Sequence, residues 1–459
     1  MILLIACYEL GHQPLNLAWP LAFLHQAGLS AQTLDLSIQP FDDTLAAQAN
    51  FVAISVPMHT ALRLGLEAAW RVRAVNPTAH INFFGLYALL NQNYLLREIA
   101  DSIIGGEFES QLVELAKKYS PGGRLLAQSV PLASSPSPVP PALTRLTFPT
   151  PHRQQLQPLS QYAHYAPDAE DLQIAGYVEA SRGCLHTCHH CPIVPIYNGR
   201  FFTVPVHTVL ADIRQQVQAG AQHITFGDPD FLNGPKHSLA IAHALHQEFP
   251  QVTFDFTTKV EHILQHQHLF SEFATLGCTF VVSAIESVSD YVLQKLNKGH
   301  TAADIDKALQ ILDAAGIALQ PTLVAFTPWT TLEDYVNQVE WIHQYGLAEY
   351  IPPIQLSIRL LIPPGSVILT HPDTDPWLGS LEPESFSYQW THPDPRMDQL
   401  YACASDLIQH ATTVNEPAAL THASIRLNAY AILGRTPPLV TRPQHQRHAP
   451  PRLTEDWFC

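Results

Sequence analysis

The stretch Val178-Glu179-Ala180-Ser181-Arg182-Gly183-Cys184-Leu185-His186-Thr187-Cys188-His189-His190-Cys191-Pro192 decides how the rest of the chain is interpreted. It places three cysteines in a C-x3-C-x2-C spacing, directly after a run that predicts a strand. A structural zinc site needs four ligands, commonly from two C-x2-C pairs, and no second pair follows downstream. Three thiolates in one loop instead fit an iron–sulfur cluster that keeps one iron open for a small molecule.

The cysteine spacing and the strand–helix series that follows it resemble the radical S-adenosylmethionine (radical SAM) superfamily. The resemblance implies that Cys184, Cys188 and Cys191 ligate a [4Fe-4S] cluster, and that S-adenosylmethionine (SAM) binds the fourth iron through its amino and carboxylate groups. His190 occupies the position next to the last cysteine, and the resemblance implies that the backbone of this residue lies beside the adenine of SAM. A zinc site stays open as an alternative, with its fourth ligand taken from one of three histidines, His186, His189 or His190.

Composition limits the classes of protein that fit. The 459 residues are too many for one ordinary core, so two domains with connectors are expected. A net charge of −16 without a Lys/Arg-rich block argues against binding nucleic acid or a membrane surface. No apolar run reaches membrane-spanning length. Seven cysteines, an odd count at low density, fit a reducing cytoplasmic location better than a disulfide framework. The expected partner is a small-molecule substrate.

Residues 1–119 alternate short apolar strands with helical patterns, which predicts a doubly wound parallel sheet with its ligands beyond the carboxyl ends of the strands. This Rossmann-like half resembles the cobalamin-binding-like domain that often precedes a radical SAM core. The Asp-x-His-x-x-Gly motif of that family is missing, because His12 has different neighbours. A scaffold role is therefore preferred, and cobalamin remains a doubtful second cofactor. The pair Gly105-Gly106 is expected to let a phosphate or nucleotide tail approach the backbone.

Three further regions follow the first domain. Residues 120–168 are a Pro/Ser-rich linker. Residues 169–395 form the predicted core, an α/β partial (βα)6 TIM barrel whose chemistry faces the carboxyl ends of its strands. Residues 396–459 hold a helix and a tail that ends in a cysteine. The predicted barrel strands are Gly176–Ala180, His223–Phe226, Thr253–Phe256, Phe280–Ala284, Leu319–Val324 and Ile354–Leu360.

Polar residues follow successive barrel strands, where a cofactor needs them. The segment Gly227-Asp228-Pro229-Asp230 takes the place of the family's Gly-Gly-Glu motif, which implies that Asp228, or failing that Asp230, holds the SAM ammonium. Ser283 and Glu286 resemble a pair that binds the ribose or the methionyl carboxylate in related enzymes. The predicted cofactor-binding set is His190, Gly227, Asp228, Lys259, Ser283, Glu286 and Arg359.

Structural roles are the competing interpretation of this set. Asp228 could cap a helix, Glu286 could form an ion pair, and Arg359 could form a buried bridge. The alternation of Gln355, Ser357 and Arg359 on a strand places all three on one face, where the arginine could clamp a carboxylate.

The core also resembles a narrower subgroup, the radical SAM proteins with a Cys-Sec-Ala-Glu-Pro or Cys-Cys-Ala-Glu-Pro tail. The resemblance rests on segments such as Lys259-Val260-Glu261-His262 and Phe326-Thr327-Pro328-Trp329. It suggests that the sequence stops at a selenocysteine codon after Cys459, although a terminal cysteine without a role is the alternative. The subgroup is similar to arsinothricin-forming synthases, which implies that Cys459 is a catalytic thiol that carries a soft acceptor.

Three hypotheses of function follow. The first is an enzyme that takes an electron from a donor such as flavodoxin or ferredoxin and cleaves SAM to a carbon radical. That radical either abstracts hydrogen as 5′-deoxyadenosyl or transfers a 3-amino-3-carboxypropyl group to arsenic or another soft acceptor. The second is a non-catalytic iron–sulfur redox or sensor protein. The third is a zinc-binding scaffold.

Overall fold

The computed structural model describes residues 1–119, 138–168, 171–439 and 450–455. Its two large sheets correspond to the two predicted strand–helix series. Each sheet has apolar strands that are buried on both faces, as parallel strands under crossover helices must be. Cys459 and residues 120–137 of the predicted linker lie outside the described residues.

The first sheet is fully parallel, with the strand order β2-β1-β3-β4-β5. Its strands are β1 Ile2–Ala6, β2 Ala31–Asp35, β3 Phe51–Ser55, β4 His80–Phe84 and β5 Ser102–Ile104. The helices are α1 Leu15–Gln26, α2 Asp43–Gln48, α3 His59–Val75, α4 Leu86–Leu90, α5 Gln92–Glu98 and α6 Glu109–Tyr119. Separate apolar clusters cover the two faces of the sheet, which confirms the predicted Rossmann-like architecture.

The second sheet has seven strands in the order β13-β12-β11-β10-β7-β6-β16. Five of them are parallel and form the partial barrel, while β6 and β16 extend its edge in antiparallel pairing. Its strands are β6 His164–Ala166, β7 Gln173–Val178, β10 His223–Phe226, β11 Thr253–Thr257, β12 Cys278–Glu286, β13 Ala318–Leu323 and β16 Arg452–Leu453. A separate ribbon joins β8 Ser181–Gly183 to β9 Phe201–Thr203.

Helices cover the outside of the partial barrel, as a strand–helix series predicts. They are α8 Val206–Gln218, α9 Pro235–Glu248, α10 Val260–Gln265, α11 Phe270–Thr275, α12 Asp290–Lys295, α13 Ala302–Ala315 and α14 Leu332–Gln344. The short helix α7, Val194–Tyr197, instead packs against the first domain. The helix α13 ends at Gly316, whose φ of 75° is the left-handed conformation that closes many helices.

The predicted sixth strand at Ile354–Leu360 is wrong. The chain there forms a 3-10 helix, Pro353–Ser357, and then a single parallel bridge between Phe326 and Arg359. Prolines 352 and 353 have no N–H groups to donate to a ladder, so this end of the barrel closes with one bridge instead of a strand. The expected alternation of Gln355, Ser357 and Arg359 on one strand face therefore does not occur.

The glycine pair after β5 is covered by the chain itself. Ala142 N donates to the Gly105 carbonyl at 2.9 Å, and Glu107 N donates to the Ala142 carbonyl at 2.6 Å. A Cβ on Gly106 would overlap the Ala142 oxygen, and one on Gly105 would overlap the Leu89 side chain. The expected approach of a phosphate or nucleotide tail is thus corrected: the close partner of this turn is Ala142.

The chain after the barrel forms a hairpin and two packed helices. The hairpin joins β14 Leu378–Glu382 to β15 Ser387–Trp390, and the helices are α15 Pro395–Val414 and α16 Ala418–Leu433. The helix predicted after residue 396 is therefore present. Within the described ranges, every helix is too short or too polar to cross a bilayer.

Replacing Gly106 with alanine tests the contact that covers this turn. Gly106 and Gly316 have φ values of 80° and 75°, but only the Gly106 position is crowded. Gly316→Ala should lower the free energy of unfolding by about 1–2 kcal/mol, which is the cost of a left-handed alanine. Gly106→Ala should cost clearly more, because Ala142 must also move and its two hydrogen bonds lengthen. Urea unfolding of both variants measures the difference, and equal losses would contradict the contact.

Candidate active site

The cysteine loop leaves the barrel after β7 and is closed at its base by the β8–β9 ribbon, in which Gly183 pairs with Phe201. Gly183 has a φ of 76°, and a Cβ there would overlap the Arg200 carbonyl and the Tyr197 ring. Only glycine fits that conformation so close to backbone. The residue before Cys184 therefore sets the direction in which the three cysteines leave the ribbon.

Neighbouring elements hold the loop in place. The Asn233 side chain, which follows β10, accepts a hydrogen bond from Leu185 N at 3.2 Å. On the other side, His189 N donates to the Leu296 carbonyl at the end of α12, at 3.0 Å. The loop therefore lies over the carboxyl ends of the parallel strands, where the barrel architecture predicts the chemistry.

The three loop cysteines are free thiols that lie close enough to interact electrostatically. Burial, together with the charge of Asp230, raises the pKa of Cys184 to about 11. Burial raises the pKa of Cys191 to about 12. Buried thiols of this kind become thiolates when a metal binds them. Three converging thiols in one enclosed loop thus fit a cluster with three protein-held irons and one open iron.

The three loop histidines contact other groups. His189 Nδ1 lies 3.0 Å from the Lys295 carbonyl, and His190 Nε2 lies 3.1 Å from Glu286 Oε1. His186 Nε2 lies 3.4 Å from Asp230 Oδ2. These contacts weaken the zinc alternative, in which one of these rings would complete the cysteine set.

Gly227 and Asp228 fix the turn that precedes the loop. The Asp228 carboxylate accepts from Ala180 N at 2.9 Å and from Ser181 Oγ at 2.5 Å, and its exposed fraction is 2%. Burial raises the pKa of Asp228 to about 7. A Cβ at Gly227 would overlap the Tyr177 ring. Both carboxylate oxygens of Asp228 therefore accept hydrogen bonds from the segment that leads into the cysteine loop.

A buried charge pair lies beside the cysteines. Lys298 Nζ and His190 Nε2 each lie 3.1 Å from Glu286 Oε1. Burial alone would raise the pKa of Glu286, but Lys298 and His190 outweigh it and lower the pKa to about 2. Glu286 also has a φ of 63°, a strained backbone conformation of the kind that clusters at functional sites.

Lys298 was missed by the sequence reading, although its charge acts on Cys188 and Cys191. The sequence offered one signal for it, the polar turn Asn297-Lys298-Gly299-His300. This turn follows a short helix and not a strand, so it was not expected at the active site. His300 is buried with it, and burial, Lys298 and Lys259 lower its pKa to about 4. The structure therefore brings Lys298, and not His300, into electrostatic contact with the cysteines.

Lys259 and Ser283 are two further members of the predicted cofactor-binding set. Lys259 is 8% exposed, and its Nζ lies 3.2 Å from Glu261 Oε2. The buried Ser283 Oγ has no hydrogen-bond partner among the described residues. Both are polar groups available to a bound cofactor.

Arg359 is separate from this set. Its guanidinium donates to Asp398 Oδ1 and to the Trp390 carbonyl, both at 2.7 Å, and it stacks 3.7 Å from the Trp390 ring centre. These partners belong to α15 and to the hairpin strand β15. Arg359 therefore forms a bridge, as the structural alternative predicts, but the bridge is only partly buried, because the two side chains are 23% and 32% exposed.

Comparisons with known proteins agree with the loop and the barrel. The sequence model of the radical SAM superfamily matches residues 178–330. A hopanoid C-3 methylase from Methylococcus capsulatus is 22% identical over 152 residues, which cover 33% of this chain and 29% of that protein. A tRNA-2-methylthio-N(6)-dimethylallyladenosine synthase from Chlorobium limicola is 26% identical over 167 residues, or 34% of this chain and 37% of that protein. The chain thus spans about a third of the length of these curated relatives.

Solved structures share the fold of both domains. The cobalamin-dependent radical SAM enzyme OxsB with bound aqua-cobalamin superposes with a TM-score of 0.68 at 14% identity, over 94% of this chain and 72% of that one. The radical SAM methyltransferase TsrM from Kitasatospora setae gives a TM-score of 0.57 at 16% identity, over 74% and 70% of the two chains. Residues 178–330 thus match the radical SAM superfamily, as the cysteine loop predicts, and the shared fold agrees with the predicted two-domain architecture.

Replacing Cys188 with alanine should prevent cluster binding. The variant retains two of the three thiolates, so its iron content after anaerobic reconstitution should fall to about a tenth of the wild-type content or less. Cys403→Ala is the matched control, because Cys403 lies in α15 beside Asn428 and should bind iron normally. Iron and sulfide analysis measures both variants. Wild-type iron content in Cys188→Ala would contradict the assignment.

Replacing Glu286 with glutamine should destabilise the protein. The change leaves Lys298 buried without its counter-charge, which costs about 3–5 kcal/mol. Glu248→Gln is the control, because it removes an exposed partner of Arg214 and should change stability little. The contribution of Glu286 to the free energy of unfolding is fully present above the usual pKa of 4.5. It is lost as the pH falls towards the folded-state pKa of about 2. Urea unfolding at neutral pH tests the pair of variants, and equal losses would refute the buried ion pair.

Proposed function

We propose that this protein is a radical SAM enzyme that cleaves SAM at the cysteine loop and uses the radical on a small molecule. The single observation that carries the proposal is the meeting of Cys184, Cys188 and Cys191 with the buried Lys298–Glu286 pair at the carboxyl ends of the barrel strands. When bound, a [4Fe-4S] cluster supplies the electron that breaks a carbon–sulfur bond of SAM.

The side chains of this chain would bind and orient SAM. Lys298 places a positive charge beside two of the cysteines, and it favours the extra negative charge of a reduced site. Ser283 and Lys259 offer donors to the carboxylate or ribose of SAM. The backbone at His190 is proposed to lie along the adenine, and the Glu286 carboxylate holds the His190 ring. Asp228 contributes indirectly, because it fixes the strand from which the loop departs.

The bond that breaks in SAM decides the reaction class. Cleavage at C5′ yields a hydrogen-abstracting 5′-deoxyadenosyl radical, whereas cleavage at the methionine Cγ yields a 3-amino-3-carboxypropyl group for transfer. We infer transfer of the 3-amino-3-carboxypropyl group to arsenic or another soft acceptor. This inference rests on the resemblance to the radical SAM proteins with a Cys-Sec-Ala-Glu-Pro or Cys-Cys-Ala-Glu-Pro tail. A thiol such as Cys459 suits a soft acceptor. The named relatives instead transfer methyl or methylthio groups, which makes hydrogen abstraction or methyl chemistry the competing outcome.

A cobalamin-dependent reaction is the second candidate function. It is favoured by the two similar structures, both of enzymes with bound cobalamin. His12, the histidine nearest to the missing motif, is buried and stacked 4.2 Å from the Tyr177 ring, and burial lowers its pKa to about 3. Cobalamin would therefore have to bind without His12 as a cobalt ligand.

The partners remain proposals. A reductase-coupled flavodoxin or ferredoxin is the proposed electron donor. The net charge of −16 supports a small-molecule substrate, whereas one relative is named for a modification of tRNA. Nucleic acid therefore stays a substrate class to be tested.

The nucleoside product of SAM cleavage distinguishes the two reaction classes. Anaerobically reconstituted protein is reduced with dithionite and incubated with SAM, with and without added hydroxocobalamin, and products are identified by chromatography and mass spectrometry. We expect 5′-methylthioadenosine, because transfer of the aminocarboxypropyl group leaves that fragment. The Cys188→Ala variant should give only the background of free SAM breakdown.

Other products would change the proposal in defined ways. 5′-Deoxyadenosine would exclude aminocarboxypropyl transfer and retain the radical SAM class. S-Adenosylhomocysteine that forms only with hydroxocobalamin would favour the cobalamin-dependent candidate. A cluster that leaves SAM intact would overturn the proposed enzyme and favour an iron–sulfur redox or sensor protein.

A further inference from the structure

Three side chains from three separate segments of the chain converge at the cysteine loop without belonging to the cysteine set. They are His186 in the loop itself, Asp230 after β10 and His262 in α10 after β11. One ligand atom from each lies within 4.8 Å of the other two. Asp230 is fully buried and His262 is 7% exposed, whereas the His186 side chain is 15% exposed, so the group is open to solvent only at His186.

Both histidines of this group contact the same carboxylate oxygen. His262 Nδ1 lies 2.9 Å and His186 Nε2 lies 3.4 Å from the same oxygen, Asp230 Oδ2. Within the described ranges, all three atoms are buried and have no partner in hydrogen-bond geometry. Buried polar atoms are normally paired. Three buried ligand atoms that meet at one point without well-aligned hydrogen bonds are therefore an arrangement that a bound ion would satisfy.

A second layer of contacts orients the three ligands. The other oxygen of Asp230, Oδ1, accepts from Thr258 Oγ1 at 2.7 Å and from Leu232 N at 3.1 Å. This leaves Oδ2 for the two imidazoles. Metal-binding carboxylates are usually hydrogen-bonded in this way.

The second nitrogen of His186 also faces a carboxylate. His186 Nδ1 lies 3.6 Å from Glu261 Oε2, which Lys259 Nζ holds at 3.2 Å. A carboxylate behind a ligating histidine fixes the ring and raises its basicity. Gly299 passes so close to Glu261 that a Cβ would lie 2.6 Å from Oε2, which restricts where the carboxylate can move.

We propose that His186, Asp230 and His262 bind one divalent transition-metal ion, Zn²⁺ or Fe²⁺, next to the iron–sulfur loop. Two imidazoles and one carboxylate are a common ligand set for either ion, and three protein ligands leave a position for water or a substrate atom. The site is separate from the cysteine ligands, and it goes beyond SAM cleavage. Its open position would hold an electron-pair donor of the substrate beside the place where the radical forms.

Metal analysis of the reconstituted holoenzyme tests the site, with Zn²⁺ as the probe. The protein is equilibrated anaerobically with chelator-buffered Zn²⁺, and zinc, iron and sulfide are measured on the same sample. We expect one zinc per chain in addition to the cluster iron. X-ray absorption at the zinc edge should show nitrogen and oxygen ligands at about 2.0–2.2 Å, whereas zinc misplaced in the cysteine loop would show sulfur at about 2.3 Å.

Variants separate this site from the cluster. His262→Gln and His186→Gln should each lose the zinc while iron and sulfide stay at wild-type levels. Glu261→Gln should weaken zinc binding about 10–100-fold, as loss of an outer partner does. His268→Gln is the matched control, because His268 is an exposed histidine in the same segment and should retain the zinc.

Two results would overturn the proposed metal site. One is a wild-type holoenzyme that binds no zinc beyond the cysteine loop. The other is zinc retained at full stoichiometry, with unchanged nitrogen and oxygen ligation, in both His262→Gln and His186→Gln. Neither result bears on SAM cleavage, which is measured separately through its nucleoside product.

Discussion

One buried arginine connects the two domains to the cysteine loop. Arg182 lies two residues before Cys184, and its guanidinium lies 2.7 Å from Glu109 and 2.8 Å from Glu179, with Glu107 at 3.7 Å. Two of these acids belong to the end of the first sheet and the start of α6. The strand that presents the cysteines is therefore anchored in the first domain, and its position depends on both cores.

The acidic groups around Arg182 outnumber its single positive charge. Three carboxyl groups share one guanidinium, so the site holds more acid than base. Burial raises the pKa of Glu107 to about 7 and also raises that of Glu109, although Arg182 opposes both shifts. Protons on these acids can reduce the excess negative charge. Breaking a buried network of this kind is strongly destabilising, because it leaves a buried charge without a partner. The two domains are therefore held in the one arrangement that keeps these groups paired.

A second constraint acts on the barrel side of the loop. The positive charge of Lys298 lies near two cysteines, and the strained Glu286 backbone is held by the same ion pair. The first domain thus sets the position of the loop, while the barrel sets its electrostatics. The anchoring by the first domain and the charge supplied by the barrel both act on the segment between Arg182 and Cys191.

The sequence by itself determined the parts that depend on local spacing. The C-x3-C-x2-C run predicted three neighbouring thiols, because a loop of eight residues brings its own thiols together wherever it lies. Apolar runs identified the parallel strands, because buried strands must be apolar on both faces. Glycines at strand and helix ends marked tight turns, although the turn at Gly106 proved to be filled by Ala142.

Only the tertiary structure decided which polar residues share the site. Asp228, Lys298 and Arg359 could not be ranked from their positions along the chain, because side-chain direction depends on the packing of distant elements. Asp228 is used by the strand that precedes the loop, Arg359 binds the C-terminal helix, and Lys298 lies at the cysteines. The convergence of His186, Asp230 and His262 has the same origin. Two loops and a helix that are far apart in sequence meet because parallel strands present their carboxyl ends at one edge.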